Sequence, residues 1–189
     1  MTNTRRCATA VGVATFAAGA MLAAPTANAD NRRLNDGVVA NVYTVQHKAG
    51  CDTEIKINPK LRLAAQWHTN DVLNNRALNG DIGSDGTTVA DRARNAGYAG
   101  AVAETVAINP ALAISGIELI NQWYHRPDYY AIMADCSNVH IGVWSESLLD
   151  RTVVVAVYGK GDGAPPVPSD IRDFGQVPGG PQYAARVIV

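Results

Sequence analysis

The sequence has few charged residues, few aromatic residues and no run of basic side chains. Charged residues make up 17% of the 189 positions, aromatic residues 6%, and 16 Lys and Arg are balanced by 17 Asp and Glu. Binding to nucleic acid or to an anionic membrane surface needs a concentrated positive patch, which this composition does not supply. We therefore expect no nucleic-acid partner.

Acidic residues are absent from the N-terminal segment before Asp30. There, Arg5 and Arg6 precede a mostly apolar stretch over 8–24, and the small-x-small pattern of a signal-peptidase site occupies 27–29. The apolar stretch is shorter than the roughly 20 residues that span a bilayer core, although a retained membrane anchor is the alternative. The sequence therefore predicts a cleavable signal peptide over 1–29. The mature chain would be secreted or associated with the cell envelope, with no transmembrane segment.

Cysteine is scarce: Cys7 lies in the predicted signal peptide, which leaves Cys51 and Cys136. In an oxidising compartment two cysteines favour one disulfide, and two separate buried thiols are the alternative. A structural zinc site usually has four ligands at short spacings, so these two cysteines alone do not predict one.

Proline and glycine are concentrated near the C-terminus. Five prolines and several glycines fall between 161 and 181, a density that sustains neither a helix nor a central strand. We expect a domain over 30–161 and an extended tail over 162–189.

Within this domain, apolar spacing and capping residues predict four helices. They are expected from Asn31 to about Lys48, from Asn58-Pro59 to about Asn75, from Thr88 to Gly97, and from Asn109-Pro110 to about His125. His68 falls on the apolar stripe of the second helix, which favours a buried, hydrogen-bonded histidine over a metal ligand.

Strands are predicted at Ala101–Ile108, Val139–Glu146 and Thr152–Tyr158, the last two joined by a turn near Leu149-Asp150. The third is apolar on both faces, as expected of a central strand covered by helices on each side. This order of helices and strands predicts an α+β layered domain.

Several motifs in series resemble the CAP domain family, which comprises cysteine-rich secretory proteins, antigen 5 and pathogenesis-related 1 proteins and is also called SCP-like. The resemblance covers roughly 35–160 and implies a three-layer α-β-α sandwich in an exported bacterial protein. It rests on Leu63 to Val72, Gly83-Ser84-Asp85-Gly86, Asp91-Arg92, Ala96-Gly97-Tyr98, Ala103-Glu104, Trp123 and Ile141-Gly142-Val143.

The family's site is a cleft with two His and two acidic residues, which binds a divalent metal in many members. At the matching positions this chain has Asp81 and Tyr129 in place of the two histidines and Arg126 in place of one acid. Glu104 matches the other acid, although Thr105 replaces the Asn that usually follows it.

The degraded tetrad predicts no functional metal site and no cofactor, because zinc prefers imidazole and thiolate ligands. We expect Arg126, as a fixed cation, to compete for the carboxylate of Glu104. His125, near the cleft turn, is the candidate replacement ligand. Asp81 with Glu104 remains an alternative weak site for calcium or magnesium.

Two functions follow from these residues. The first is a secreted, non-enzymatic CAP-like binding module for a small amphiphile, a cell-envelope component or a protein partner. Its predicted cleft consists of Asp81, Glu104, His125, Arg126 and Tyr129, and the aromatic cluster of Trp123, Tyr124, Tyr129 and Tyr130 is a candidate lipid or glycan groove.

The alternative is a secreted hydrolase that uses Asp81 and Glu104 as an acid–base pair. No Gly-x-Ser-x-Gly or His-Glu-x-x-His motif supports a hydrolase of another class. A purely structural role in an envelope complex is a third interpretation.

Overall fold

The structure is a computed structural model, and it describes residues 28–161 except 79, 111 and 113. Most of the predicted signal peptide and the whole tail over 162–189 lie outside these residues. Within them, no helix is both long and apolar enough to cross a membrane.

Five helices and four strands form the described domain. The helices are α1 (Asn28–Lys48), α2 (Pro59–Asn74), α3 (Val89–Asn95), α4 (Gly116–Tyr124) and α5 (Pro127–Ala134). The strands are β1 (Lys56–Ile57), β2 (Val102–Asn109), β3 (His140–Leu148) and β4 (Arg151–Gly159). They form one sheet in the order β1-β3-β4-β2, with β1 parallel to β3 and the other pairs antiparallel.

Strand β4 is the central element, as its apolar sequence predicts. It pairs with β2 on one side and β3 on the other, and all nine of its residues are buried. Val153, Val155 and Val157 pack on one face with α2 and α3. Val154, Ala156 and Tyr158 pack on the other with α1, α4 and α5. The alternation of β4 therefore builds both cores, and the predicted α+β fold with an α-β-α sandwich is confirmed.

The helix-start signals of α2 and α3 act as predicted. The side chain of Asn58 accepts hydrogen bonds from the backbone of Lys60 and Leu61, and Pro59 occupies the first turn. Thr88 and Asp91 form a capping box. These caps satisfy backbone N–H groups that lack a partner inside the helix.

The predicted start of the fourth helix is wrong. Asn109 is the last residue of β2, where it pairs with Thr152, and α4 begins only at Gly116 with Ser115 as its cap. Strand pairing therefore overrides the local Asn-Pro signal. Ile117, in the first turn of α4, is 75% exposed.

Two short elements, α5 and β1, were not predicted. Helix α5 begins with Pro127, where the sequence indicated only a turn, and it buries Tyr129 and Met133. Strand β1 has only two residues, too few for a recognisable alternation, and it is held by pairing with His140 and Ile141.

The predicted disulfide between Cys51 and Cys136 is present, with the two Cα atoms 5.2 Å apart. It joins the loop after α1 to the segment between α5 and β3. The alternative of two separate thiols is therefore wrong.

Candidate functional site

Glu104 on β2 is the buried acid of the predicted cleft, and a cation neutralises it. Its Oε1 accepts a hydrogen bond of 2.6 Å from Nη2 of Arg92 on α3. The side chain of Arg92 is 5% exposed and that of Glu104 is 2% exposed. A charge pair this deep in the protein is stable only with good geometry and further hydrogen bonds.

Arg92 supplies those further bonds by gripping the loop between α2 and α3. It donates to the main-chain oxygen of Thr87 and to that of Asp81, each at 2.7 Å. The guanidinium of Arg92 therefore bridges two groups, the carboxylate of Glu104 and the backbone carbonyl of the half-buried Asp81.

His68 completes this network from α2, and it is buried and hydrogen-bonded as predicted. Its Nε2 lies 3.1 Å from the carbonyl oxygen of Gly80 and 3.9 Å from Oε1 of Glu104. Burial lowers the pKa of His68 below its ordinary value, and this outweighs the opposing attraction of Glu104. His68 therefore acts as a neutral donor that positions the loop.

Tyr129 of α5 lies at the neighbouring part of β2. Its hydroxyl accepts a 3.4 Å hydrogen bond from the backbone N–H of Val106, and burial raises the pKa of Tyr129. The guanidinium of Arg126 lies 3.7 Å from the centre of the Tyr129 ring and forms an ion pair with Asp128. Tyr129 is thus held as a buried packing group.

The prediction about Arg126 needs correction, because the cation on Glu104 is Arg92. The pattern Asp91-Arg92 is visible in the sequence, but nothing in it indicates that the arginine turns inward towards β2. His125 lies at the C-terminal end of α4, where its Nδ1 donates to the Asn121 carbonyl at 2.6 Å and its ring meets Tyr124. Both contacts of His125 are therefore with residues of α4.

The residues of the predicted cleft do not fit a divalent metal. Arg92 places a positive charge against the carboxylate of Glu104, and Nε2 of His68 is engaged by the carbonyl of Gly80. Across the residues that the structure describes, no three His, Cys, Asp or Glu side chains are grouped so that they could hold a metal ion. A cation there would have to displace the guanidinium.

A second concave surface lies between α1 and α4. The two helices are close at Gly116, where a Cβ would lie 3.8 Å from the backbone of Gly37. Residues of both helices line a groove of about 380 Å³, which we call the α1–α4 groove. Its lining consists of Asn41, Thr44, Val45, Lys48, Ile117, Ile120, Asn121 and Tyr124.

This groove has a buried apolar base and an exposed apolar wall. Val45 and Ile120 are buried, whereas Ile117 is 75% exposed and Tyr124 is 44% exposed. The aromatic cluster of the sequence analysis is therefore divided. Trp123 is fully buried in the core, Tyr129 packs edge-on against it, and Tyr124 reaches the groove. Of the four aromatic residues, Tyr124 lines this groove, and the role of the cluster in binding a lipid or glycan stays a prediction.

Neither a comparison with protein-family models nor a sequence comparison with curated proteins finds a match to this chain. Solved structures do share its fold. An outer surface protein from Borrelia burgdorferi superposes with a TM-score of 0.61 at 16% identity, over 70% of this chain and 96% of that chain.

An extracellular protein containing an SCP domain from Bacillus anthracis superposes with a TM-score of 0.54 at 13% identity. The match covers 72% of this chain and 45% of the Bacillus protein, so this chain spans less than half of its length. These similar structures are surface or extracellular proteins, and the Cys51–Cys136 disulfide is consistent with secretion. Together with the layers and motifs described above, the superpositions show that the chain has a CAP-like fold.

Proposed function

We propose that the chain is a secreted, non-enzymatic binding module whose ligand is a small amphiphile held in the α1–α4 groove. The observation that carries this proposal is the exposed apolar wall of the groove. Ile117, which is 75% exposed, lies over the buried base formed by Val45 and Ile120. Exposed apolar surface around a concavity is typical of ligand-binding grooves.

The charge at the groove favours an amphiphile with an anionic head group. Lys48, in the last turn of α1, lines the groove beside polar Thr44, while Ile117 and Tyr124 supply the apolar wall. A single acyl chain would cover the apolar wall, and its head group would lie near the ammonium of Lys48. A cell-envelope lipid with one chain has this chemistry.

The network around Glu104 supports the non-enzymatic part of the proposal. A hydrolase that uses Asp81 and Glu104 needs a carboxylate free to exchange a proton with substrate. Glu104 instead binds the guanidinium of Arg92, which holds the loop at Asp81 and Thr87. The arrangement is that of a structural polar cluster.

A fluorescent single-chain fatty acid, cis-parinaric acid, tests the proposal when it is titrated into the purified exported protein. Ile117→Asp places a charge in the groove without disturbing the core, and Leu149→Asp is the matched control. Leu149 is 87% exposed in the β3–β4 turn and does not line the groove.

We expect Ile117→Asp to weaken binding by about tenfold or more, because an isoleucine side chain that the ligand buries contributes about 1.5–3 kcal/mol to the binding free energy. Leu149→Asp should bind as the wild type does. Equal affinity of Ile117→Asp and the wild type would place the ligand elsewhere and overturn the proposed groove.

A further inference from the structure

A separate polar cleft lies on the opposite face of the sheet, beside the loop between α2 and α3. It has a volume of about 210 Å³. Its lining consists of Trp67, Asp71, Ser84, Asp85, Thr87, Arg92 and Asn95, and we call it the Trp67 cleft. This volume is below the range of about 300–1,000 Å³ typical of drug-sized ligands, so it suits a single ring.

One wall of the Trp67 cleft is an exposed aromatic ring. Trp67 is 41% exposed, and it lies one helical turn before Asp71 on the same face of α2. The other two tryptophans of the chain are placed differently: Trp123 is fully buried, and Trp144 is half-buried under the guanidinium of Arg62. Trp67 is therefore a flat apolar platform at the edge of a polar cleft.

The other wall presents oxygen acceptors in fixed positions. Asp71 accepts hydrogen bonds from the backbone N–H and the hydroxyl of Ser84, at 2.7 and 2.6 Å. Asp85 accepts from the backbone N–H and the hydroxyl of Thr87, at 2.9 and 2.6 Å. The side-chain amide of Asn75 also donates to Oδ1 of Asp71 at 2.7 Å, so Oδ1 of each aspartate accepts two hydrogen bonds. The acceptor capacity left for a ligand therefore lies on the two Oδ2 atoms.

Gly83 shows how closely these oxygens converge. A Cβ at Gly83 would lie 2.8 Å from Oδ1 of Asp85, 2.9 Å from Oγ1 of Thr87 and 3.2 Å from Oδ2 of Asp71. One oxygen from α2 and two from the loop that contains Gly83 thus surround one point on the backbone. Only glycine leaves that point open.

Arg92 provides a second, independent polar group at this cleft. Arg92 lines the cleft although its side chain is only 5% exposed. Its Nε has no hydrogen-bond partner among the residues that the structure describes. Its charge is balanced by Glu104, so the uncompensated charges at the cleft are those of Asp71 and Asp85. The cleft therefore disfavours anionic ligands.

We infer that the Trp67 cleft is a carbohydrate subsite that takes one pyranose ring of a neutral glycan. The C–H face of the ring packs on Trp67, and its hydroxyls donate to the Oδ2 atoms of Asp71 and Asp85. A metal ion is disfavoured because, among the residues that the structure describes, no third His, Cys, Asp or Glu side chain joins these two carboxylates. This inference goes beyond the proposed amphiphile groove and does not depend on it.

The test is a titration followed by ¹H–¹⁵N NMR of the exported protein with four probes. They are the trisaccharides of glucose and of N-acetylglucosamine, a heparin tetrasaccharide as an anionic comparison, and calcium chloride. We expect at least one neutral trisaccharide to shift the Trp67 indole signal and the backbone signals of Ser84 and Thr87. The heparin fragment and calcium should leave them unmoved.

Four variants make the result specific. Trp67→Ala should weaken binding about tenfold, and Trp67→Phe should retain most of it because the aromatic face remains. Leu63→Ala, on α2 one turn earlier and 37% exposed in the wild type, is the matched control and should not change it. Ile117→Asp should also bind the sugar normally, which separates this site from the groove.

The inference is overturned if neither neutral trisaccharide moves these signals, or if only the heparin fragment or calcium does. It is also overturned if Trp67→Ala binds as tightly as Leu63→Ala. The Trp67→Phe variant keeps an aromatic ring at this position. If both Trp67 variants give native spectra and only Trp67→Ala loses binding, the loss is due to the missing ring and not to unfolding.

Discussion

Arg92 and Glu104 form a buried ion pair of 2.6 Å that joins α3 to β2. The pair has two consequences. It neutralises the carboxylate that a metal or a catalytic step would need, and it fixes the loop whose carbonyls Arg92 binds.

Replacing one residue of the Arg92–Glu104 pair should lower the free energy of unfolding more than replacing both. Arg92→Met and Glu104→Leu should each lower the free energy of unfolding by about 3–5 kcal/mol, because each leaves a buried charge without its partner. The double variant should lose clearly less than the sum of the two. Urea unfolding of the four proteins measures this coupling, and strictly additive losses would show that the pair does not act as a unit.

Stability should fall on mild acidification because of His68. Burial depresses the pKa of His68 in the folded state, so below the ordinary value of about 6.5 the unfolded chain binds the proton preferentially. The free energy of unfolding then decreases as pH falls from about 6.5 towards the folded pKa, by at most about 1.4 kcal/mol per pH unit.

Unfolding curves of His68→Gln and of the control His47→Gln between pH 7.5 and 5 separate the contribution of His68 to the pH dependence of stability from that of other titratable groups. His47 is exposed in the last turn of α1. His68→Gln should flatten the pH dependence and His47→Gln should preserve it. The interpretation of His68 is wrong if the two variants show the same slope.

Gly142 permits the close packing of β3 on α2. A Cβ at Gly142 would overlap the backbone at Leu61 and Arg62. Gly142→Ala should therefore destabilise the fold by about 1–3 kcal/mol or more, through forced backbone movement.

The matched control is Gly37→Ala in the interior of α1, where a Cβ meets nothing within 4 Å. It should stabilise by about 0.5–1 kcal/mol, because alanine is the better helix former. Thermal unfolding of both variants gives the comparison, and equal effects of the two would contradict the close contact.

The disulfide should contribute strongly to stability. Cys51 and Cys136 are 85 residues apart in sequence, and closing a loop of this length is worth about 4 kcal/mol in the chain-entropy model. A double variant, Cys51→Ala with Cys136→Ala, should lose that amount in urea unfolding. A loss below about 1 kcal/mol would show that the bond constrains the unfolded chain little.

Much of the fold is predictable because its signals are local. The Asn58-Pro59 start of α2, the Thr88–Asp91 capping box and the apolar β4 each specify their own structure through nearby groups. The same kind of signal fails at Asn109-Pro110, which resembles a helix start. Pairing with β4 keeps Asn109 in a strand, and no local pattern reveals that pairing.

The candidate site is less predictable because it depends on contacts between distant segments. The sequence predicts Glu104 in the cleft but assigns no role to its partner Arg92, since an arginine on a short helix normally points to solvent. The groove lies between α1 and α4, and the sequence predicts the start of the fourth helix at Asn109-Pro110 instead of Gly116. The sequence shows Trp67 only as part of a motif, because its exposure is a property of the packed fold.

The most direct test of the central claim, non-catalytic binding of an amphiphile, is a native mass spectrum of the exported protein mixed with lysophosphatidylglycerol. This lipid has one acyl chain, one carboxylic ester bond and an anionic phosphodiester head group. The groove with Lys48 and Ile117 predicts a one-to-one adduct with the intact mass of the lipid, which is lost in Ile117→Asp and kept in Leu149→Asp. The absence of any adduct, a stoichiometric metal, or the mass of the cleaved fatty acid in place of the intact lipid would contradict it.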